Sequence, residues 1–131
     1  MSVRFLCLVG LAAIVGCAST SGAHSTPMRS NVLTGEEIAN THADLNTSYD
    51  ALQRLRPNWL APHGAMTSNA GVSNYASVFV DGQLMGDVTA LRNVPAYYVD
   101  EIRYYDITQA GARFGIRAGT TGAIEVIMKK P

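Results

Sequence analysis

Two cysteines are the side chains of this 131-residue sequence whose positions most clearly indicate covalent chemistry. Cys7 lies inside an apolar run from Phe5 to Gly16, and Cys17 follows directly after that run. A thiolate is a nucleophile, and only a thiol forms a thioether. The sequence after Cys17 has no further cysteine, so we expect no disulfide framework, cysteine metal site or thiol catalysis there.

Other candidates for catalysis or metal binding are three histidines and two acidic pairs. No two histidines have the i,i+4 spacing of a helical metal site, and we expect all three to be solvated. Helix capping and solvation at a strand edge explain Glu36-Glu37 and Asp100-Glu101 as well as acid–base chemistry does. The sequence also lacks a Gly-x-Ser-x-Gly elbow, a phosphate loop and a Cys-His arrangement. We predict no enzyme activity, no cofactor and no metal. The histidines are His24, His42 and His63.

The N-terminal apolar run has twelve residues, too few to span a bilayer, which needs ~20. With one basic side chain, Arg4, in front of it, the run fits a signal peptide over residues 1–16. The residues Ile14-Val15-Gly16-Cys17 resemble the bacterial lipobox. This resemblance implies that Cys17 takes a diacylglycerol group, that the leader is cleaved before it, and that the new amino group receives a fatty acid such as palmitate. The alternatives are an ordinary secretory leader and a cytosolic protein with an apolar start.

Residues 17–32 are rich in Ser, Thr, Gly and Ala, a composition that predicts a flexible tether. We assign one folded domain to residues 33–131. Ala18 stands where an aspartate in many lipoproteins marks retention in the inner membrane, so the lipobox resemblance implies an outer-membrane protein facing the periplasm. Ten basic and ten acidic residues balance, and without a basic patch we expect no nucleic-acid partner.

Capping patterns predict the first helices of the domain. Thr34 and Glu37 have the capping-box spacing, and Thr47 and Asp50 repeat it. A short helix should follow Thr34 and a longer one should follow Thr47. Pro57 should end the second helix, because the residue before a proline is disfavoured in the α region.

Three apolar segments predict strands: residues 77–80, 101–107 and 123–128. Asp81-Gly82 after the first segment predicts a tight hairpin into a short return strand. The alternation in residues 101–107 places Ile102 and Tyr104 on one face and Arg103, Tyr105 and Ile107 on the other. The predicted core therefore includes apolar side chains of all three segments, namely Val78, Val80, Ile102, Ile124 and Val126.

A third short helix is predicted between the last two strands. Thr108 can cap it, Gly115 should end it, and Gly122 lies in the turn before the final strand. This last strand-helix-strand unit could form a compact crossover. Together the elements predict an α+β domain with a small mixed β-sheet and short helices.

The same segments resemble the plug domain of TonB-dependent outer-membrane receptors. Residues 78–82 match a V-x-V-D-G strand, and residues 99–105 are similar to an I-E-x-I-E-V strand. Residues 110–115, 116–122 and 123–129 are similar to the small-residue helix, the R-A-x-x-G turn and the closing strand. The likeness extends over nearly all of the domain and implies a plug-like fold. A receptor also has a β-barrel and a TonB-contacting segment, and this sequence has neither, so transport and TonB coupling are not expected.

Dense aromatic residues from position 97 to 105 indicate a candidate binding surface of Tyr97, Tyr98, Arg103 and Tyr105. The alternative is that alternation buries one of Tyr104 and Tyr105 and leaves the other on a strand face. For three arginines the sequence leaves two alternatives, which are a cluster near this surface and simple pairing with nearby acidic residues. The arginines are Arg103, Arg113 and Arg117, and the acidic residues are Asp100, Glu101 and Asp106.

The expected function follows from these candidates. We expect a lipid-anchored, non-catalytic module that binds another envelope protein, with small-ligand or glycan binding in the cell envelope as the alternative. Four positions should be structural turns that support the fold: Asp81, Gly82, Gly115 and Gly122.

Overall fold

A computed structural model describes residues 31–41, 44–63 and 73–131 of the chain. In these residues the chain forms five strands and three α-helices. The strands are β1 (Val32–Thr34), β2 (Ser77–Val80), β3 (Gln83–Gly86), β4 (Val99–Tyr105) and β5 (Ala123–Met128); the helices are α1 (Gly35–Asn40), α2 (Ser48–Leu55) and α3 (Ile107–Phe114). Turns of 3₁₀-helix cover Pro57–Leu60, Val88–Asn93, Ala96–Tyr98 and Gly115–Ala118. None of the described helices is long and apolar enough to cross a membrane.

Several sequence predictions lie outside the described residues. They are the signal peptide over residues 1–16, the lipidated Cys17, the tether up to residue 30, and the two histidines His24 and His42.

The strands form one mixed sheet in the order β1-β4-β5-β2-β3. β2 and β5 run parallel, and the other neighbouring pairs are antiparallel. The predicted α+β class with a small mixed sheet is therefore confirmed. The predicted crossover between the last two strands is wrong, because a crossover joins parallel strands and β4 and β5 are antiparallel neighbours. Strand β1 was not predicted, and it begins at Val32, inside the predicted tether, because Val32 pairs with Arg103.

Local capping decides where the first two helices begin. The Thr34 side chain accepts a hydrogen bond from the backbone N–H of Glu37 at 3.1 Å. Thr47 and Asp50 form a reciprocal capping box, each side chain accepting from the other's backbone N–H. Helix α2 then ends before Pro57, as predicted.

The boundary between β4 and α3 differs from the prediction. Asp106, not Thr108, caps α3, and its carboxylate accepts a hydrogen bond from the backbone N–H of Gln109 at 2.8 Å. Ile107 is therefore the first residue of the helix and does not extend β4. An aspartate is as good an N-cap as threonine or better, so the earlier capping residue starts the helix two positions sooner.

The predicted turn positions are confirmed by their backbone angles. Asp81 and Gly82 both have positive φ, 48° and 81°, as a tight hairpin with a two-residue loop requires. Gly115 has φ 64° where α3 ends, and Gly122 has φ 97° before β5. At Gly122 an added Cβ would also lie 2.7 Å from the carbonyl oxygen of Tyr105, so no larger residue fits without movement.

The sheet has two differently covered faces. On the first, which we call the α1/α2 face, both helices and three of the 3₁₀ turns pack against β-strand side chains around the fully buried Leu33, Leu52 and Leu91. Four of the five predicted core residues belong to this cluster, and the fifth packs against it. Val78, Ile102, Ile124 and Val126 are buried, and Val80 is half-buried.

The second face, which we call the α3 face, has a smaller core. Phe114 of α3 stacks on Phe79 of β2 with ring centroids 3.8 Å apart, and Ala110, Ala118 and Ala123 are buried around them. Because α3 has only eight residues, it covers the part of this face formed by β2 and β5. The part formed by β1 and β4 borders an open groove.

Candidate interaction surfaces

An open groove of about 720 Å³ lies between α3 and the strands β1 and β4. The strand register explains its composition. Alternation places Val32, Arg103 and Tyr105 on the α3 face, and α3 contributes its exposed side. We call this the Arg–Tyr groove; its lining residues are Asn31, Val32, Arg103, Tyr104, Tyr105, Gln109, Ala112 and Arg113.

A buried carboxylate lies beside the groove. Glu125, in the middle of β5, is almost fully buried. Arg113 donates to it from Nε at 2.9 Å and from Nη2 at 3.0 Å, which is a bidentate pairing. The Tyr105 hydroxyl donates to the same carboxylate at 2.8 Å. Three charge-assisted hydrogen bonds therefore hold one arginine and one tyrosine in place at the groove.

A second arginine lies next to this cluster. Arg103 is opposite Glu125 in the register of β4 and β5, and its guanidinium forms an ion pair with Glu101. Its Nε is buried, with no hydrogen-bond partner among the described residues. A hydrogen bond with Tyr105, and then the one with Glu101, raises the pKa of Arg103. Arg103 on β4 and Arg113 on α3 therefore both stay charged at any physiological pH.

The pKa values of the cluster indicate how closely its groups lie. The hydrogen bond with Glu125 raises the pKa of Arg113, while the nearby positive charge of Arg103 acts in the opposite direction. Burial, and then the hydrogen bond to Glu125, raises the pKa of Tyr105. The phenol is thus a neutral donor, and the two guanidinium groups are close enough to repel each other.

The structure separates the four residues of the predicted binding surface into two pairs. Arg103 and Tyr105 line the groove, but Tyr97 and Tyr98 lie in the 3₁₀ turn before β4. Seven residues of extended chain separate Tyr98 from Tyr105, about 23 Å. Tyr97 and Tyr98 are 63% and 53% exposed, with ring centroids 4.0 Å apart, and form a separate surface that we call the tyrosine pair.

Alternation places Tyr104 on the α1/α2 face and Tyr105 on the α3 face, and neither ring is fully buried or fully exposed. Trp59 stacks on Tyr104 with ring centroids 5.6 Å apart, and Phe114 meets Tyr105 edge-on at 5.6 Å. Each ring is half-buried because both faces of β4 are partly covered near its end.

The predicted pairings of the arginines are confirmed only in part. Arg103 pairs with Glu101, as considered, but Arg113 pairs with Glu125. For Arg117 the described residues provide no ion pair. Glu125 was missed because it lies within an apolar strand, and a single charge inside such a run was the one signal that could have indicated it.

The described residues give the groove hydrogen-bond donors from arginine and apolar contacts. Its carboxylate is fully engaged by Arg113 and Tyr105, and the described residues place no three His, Cys, Asp or Glu side chains close enough together to hold a metal ion. His63 lies half-buried with a ring nitrogen 3.0 Å from the carbonyl oxygen of Asn58, and its ring is 5.7 Å from that of Tyr104.

Comparison with known proteins adds no relative. No protein-family model matches the chain, and no curated protein sequence matches it.

Proposed function

We propose that this protein is a lipid-anchored lipoprotein of the cell envelope whose plug-like domain is a non-catalytic module for binding another envelope protein. The Arg–Tyr groove is the partner-binding surface in this proposal. The observation that carries it is the set of three hydrogen bonds by which Glu125 orients Arg113 and Tyr105 at an open groove.

The composition of the groove supports binding of a protein. Arginine and tyrosine are enriched at the energetic centres of protein interfaces, where a large apolar body and a polar tip act together. Side chains that are already held in one geometry lose less conformational entropy on binding, so the partner gains more of the contact energy. Arg113 and Tyr105 have this property through Glu125.

The plug-like fold is supported by the resemblance together with turn geometry. Asp81-Gly82, Gly115 and Gly122 have positive φ at the turns that the resembling segments require. Membrane attachment is supported by the lipobox-like residues before Cys17. Asn31 lines the groove, and the fourteen positions from Cys17 to Asn31 limit their separation to ~50 Å. The groove in this proposal therefore lies within reach of proteins at the membrane surface.

Metabolic labelling with a clickable palmitate analogue tests the anchor. The wild-type protein and a Cys7→Ser variant should both be labelled, whereas Cys17→Ser should carry no label and should not be processed. Density-gradient fractionation should place the labelled protein in the outer membrane. An unlabelled wild-type protein that fractionates as a soluble protein would contradict the proposed anchor.

Photo-crosslinking in intact cells tests the groove. A photoreactive amino acid at the exposed groove residue Ala112 should give one discrete crosslinked product with another envelope protein. The matched control carries the same photoreactive group at Gln53, an exposed residue of α2 on the other side of the sheet. Equal crosslinking from both positions, or none from Ala112, would contradict an interface at the groove.

A second candidate function rests on the tyrosine pair. Exposed aromatic faces bind sugar rings, and Tyr97 and Tyr98 expose two such rings side by side. If glycan binding is the function, peptidoglycan or lipopolysaccharide fragments should bind the wild-type protein, and Tyr97→Ala with Tyr98→Ala should abolish binding. Arg103→Gln, in the separate groove, is the control that should leave glycan binding unchanged.

A further inference from the structure

The ion pairs of the Arg–Tyr groove expose their cations and bury their anions. The side chains of Arg103 and Arg113 are 41% and 47% exposed. Their partners Glu101 and Glu125 are only 21% and 5% exposed. Although the four charges cancel in number, a ligand that enters the groove meets the guanidinium groups first.

The guanidinium groups also keep donors for a ligand. Arg113 uses Nε and Nη2 for Glu125, and no acceptor for its Nη1 lies among the described residues. Arg103 pairs with Glu101 through Nη2 and its Nε is buried, so the donors that a ligand can reach on this 41% exposed side chain are those of its terminal nitrogens. An arginine presents five N–H donors in a planar fork that matches a carboxylate, so each can take a second acceptor.

Apolar atoms line the groove together with the two cations. Val32 of β1, Ala112 of α3 and the ring of Tyr105 line the groove together with the aliphatic stems of the arginines. A ligand that complements this lining therefore combines carboxylates with small apolar side chains, as an extended peptide does when acidic and apolar residues alternate.

We infer that the Arg–Tyr groove binds an acidic segment of the partner protein, with aspartate or glutamate carboxylates on Arg103 and Arg113 and an apolar side chain between them. This inference rests on the proposed protein-binding function and adds the chemistry of the partner. Glu125 supports a carboxylate as the ligand group, because Arg113 already holds one carboxylate bidentately with two bonds of 2.9 and 3.0 Å.

Fluorescence anisotropy with a defined peptide tests the inference. The probe is a labelled octapeptide of alternating glutamate and alanine, and its matched control has glutamine in place of glutamate. The protein is the full chain as produced in cells, purified from membranes in a non-ionic detergent. The glutamate peptide should bind at least ~10-fold more tightly than the glutamine peptide, since hydrogen bonds to charged groups are stronger than neutral ones. Binding should weaken as salt is added.

Two variants assign the binding to the groove. Arg103→Gln should weaken binding of the glutamate peptide ~10-fold, whereas Arg117→Gln, with the same change in net charge outside the groove lining, should alter it less than ~2-fold. The double variant Arg113→Gln with Glu125→Gln removes the second cation without leaving a buried charge unpaired, and should also weaken binding. Far-ultraviolet circular dichroism of each variant must match that of the wild type. A variant that does not match is replaced by Arg103→Lys, which keeps the positive charge but lacks the planar guanidinium that binds a carboxylate bidentately.

The outcomes separate this inference from the proposed function. Loss of peptide affinity in Arg103→Gln, together with loss of the Ala112 crosslink in cells, supports both. A crosslink that persists in Arg103→Gln, with no preference for the glutamate peptide, leaves the groove an interface and overturns its acidic specificity. The specificity for an acidic peptide would also be overturned if inorganic polyphosphate or vesicles with anionic lipid bound as tightly as the glutamate peptide. The groove would then recognise negative charge alone.

Discussion

The two faces of the sheet differ in what covers them. On the α1/α2 face, two helices and several 3₁₀ turns enclose an apolar cluster that includes Leu33, Leu52 and Leu91. On the α3 face, one helix of eight residues covers β2 and β5 and leaves a groove beside β4. The larger apolar core therefore lies on one face, and the open groove lies on the other.

Each face contains an ion pair, and the pairs differ in access. Arg56 at the end of α2 is 1% exposed and pairs with Glu37 of α1 at 3.0 Å, with its guanidinium 5.8 Å from the Trp59 ring. Arg113 also pairs with a glutamate, but its side chain is half exposed at the groove. Both arginines therefore join two elements, but only Arg113 does so at a surface that is open to solvent.

The largest expected effect comes from the enclosed face. Ile124→Ala should lower the free energy of unfolding by ~2–4 kcal/mol, because it removes buried methyl groups and leaves a cavity. Urea denaturation followed by circular dichroism measures the change. Ile116→Ala is the control, since Ile116 is fully exposed and its truncation should change the free energy by less than ~0.5 kcal/mol. Similar losses for the two variants would remove the distinction between an enclosed core and an open surface.

The next effect concerns Gly122, where the chain enters β5. Gly122→Ala should destabilise by ~2 kcal/mol, because the backbone has positive φ and the new Cβ would meet the Tyr105 carbonyl oxygen. Gly115→Ala has open space around it and should cost ~1 kcal/mol through φ alone.

Gly111 is the matched control for these two glycines. It lies within α3, and an added Cβ would meet nothing within 4 Å. Gly111→Ala should be neutral or stabilising by up to ~1 kcal/mol, because alanine has the higher helix propensity. Thermal and urea denaturation give the order of the three, and Gly111→Ala as the most damaging substitution would contradict the packing of α3.

A smaller effect is expected at the ion pair of the α3 face. Arg113→Ala leaves the buried Glu125 carboxylate without its main partner, and should cost ~1–2 kcal/mol once the exposure of Arg113 is taken into account. Replacing both residues with leucine should recover most of the loss, because no buried charge then remains. Arg117→Ala should have little effect in the same urea titrations. If the double variant is no more stable than Arg113→Ala, the unpaired charge of Glu125 is not the cause of the lost stability.

The smallest effect is a dependence on alkaline pH. Burial is the first cause that raises the pKa of both Tyr104 and Tyr105, one on each face. Folding keeps these phenols neutral, so their contribution to stability is complete below the unfolded pKa of 10 and is lost as pH rises through the higher folded values. Between pH 9 and 11, Tyr105→Phe and Tyr104→Phe should each lose less stability than the wild type. If the free energy of unfolding falls with pH as steeply in both variants as in the wild type, the pKa of neither phenol changes on folding.

The sequence by itself determined the features that depend on neighbours within a few residues. The capping box of Thr47 and Asp50, the Asp81-Gly82 hairpin and the helix end at Gly115 were predicted, because each is a hydrogen bond or a backbone angle specified locally. The five core residues followed from alternation along their strands. The start of α3 was misplaced because two residues only two positions apart, Asp106 and Thr108, can both cap.

Only the tertiary structure decided how distant segments meet. The pairing of β1 with β4, the parallel pairing of β2 with β5, and the bonds from Arg113 and Tyr105 to Glu125 join residues far apart in the chain. Such contacts form because whole faces must be buried together, and no local pattern specifies the partner. For the same reason the predicted tyrosine and arginine surface divided in two: neighbours along a strand share a sequence window, but an extended chain carries its ends about 3.3 Å further apart with every residue.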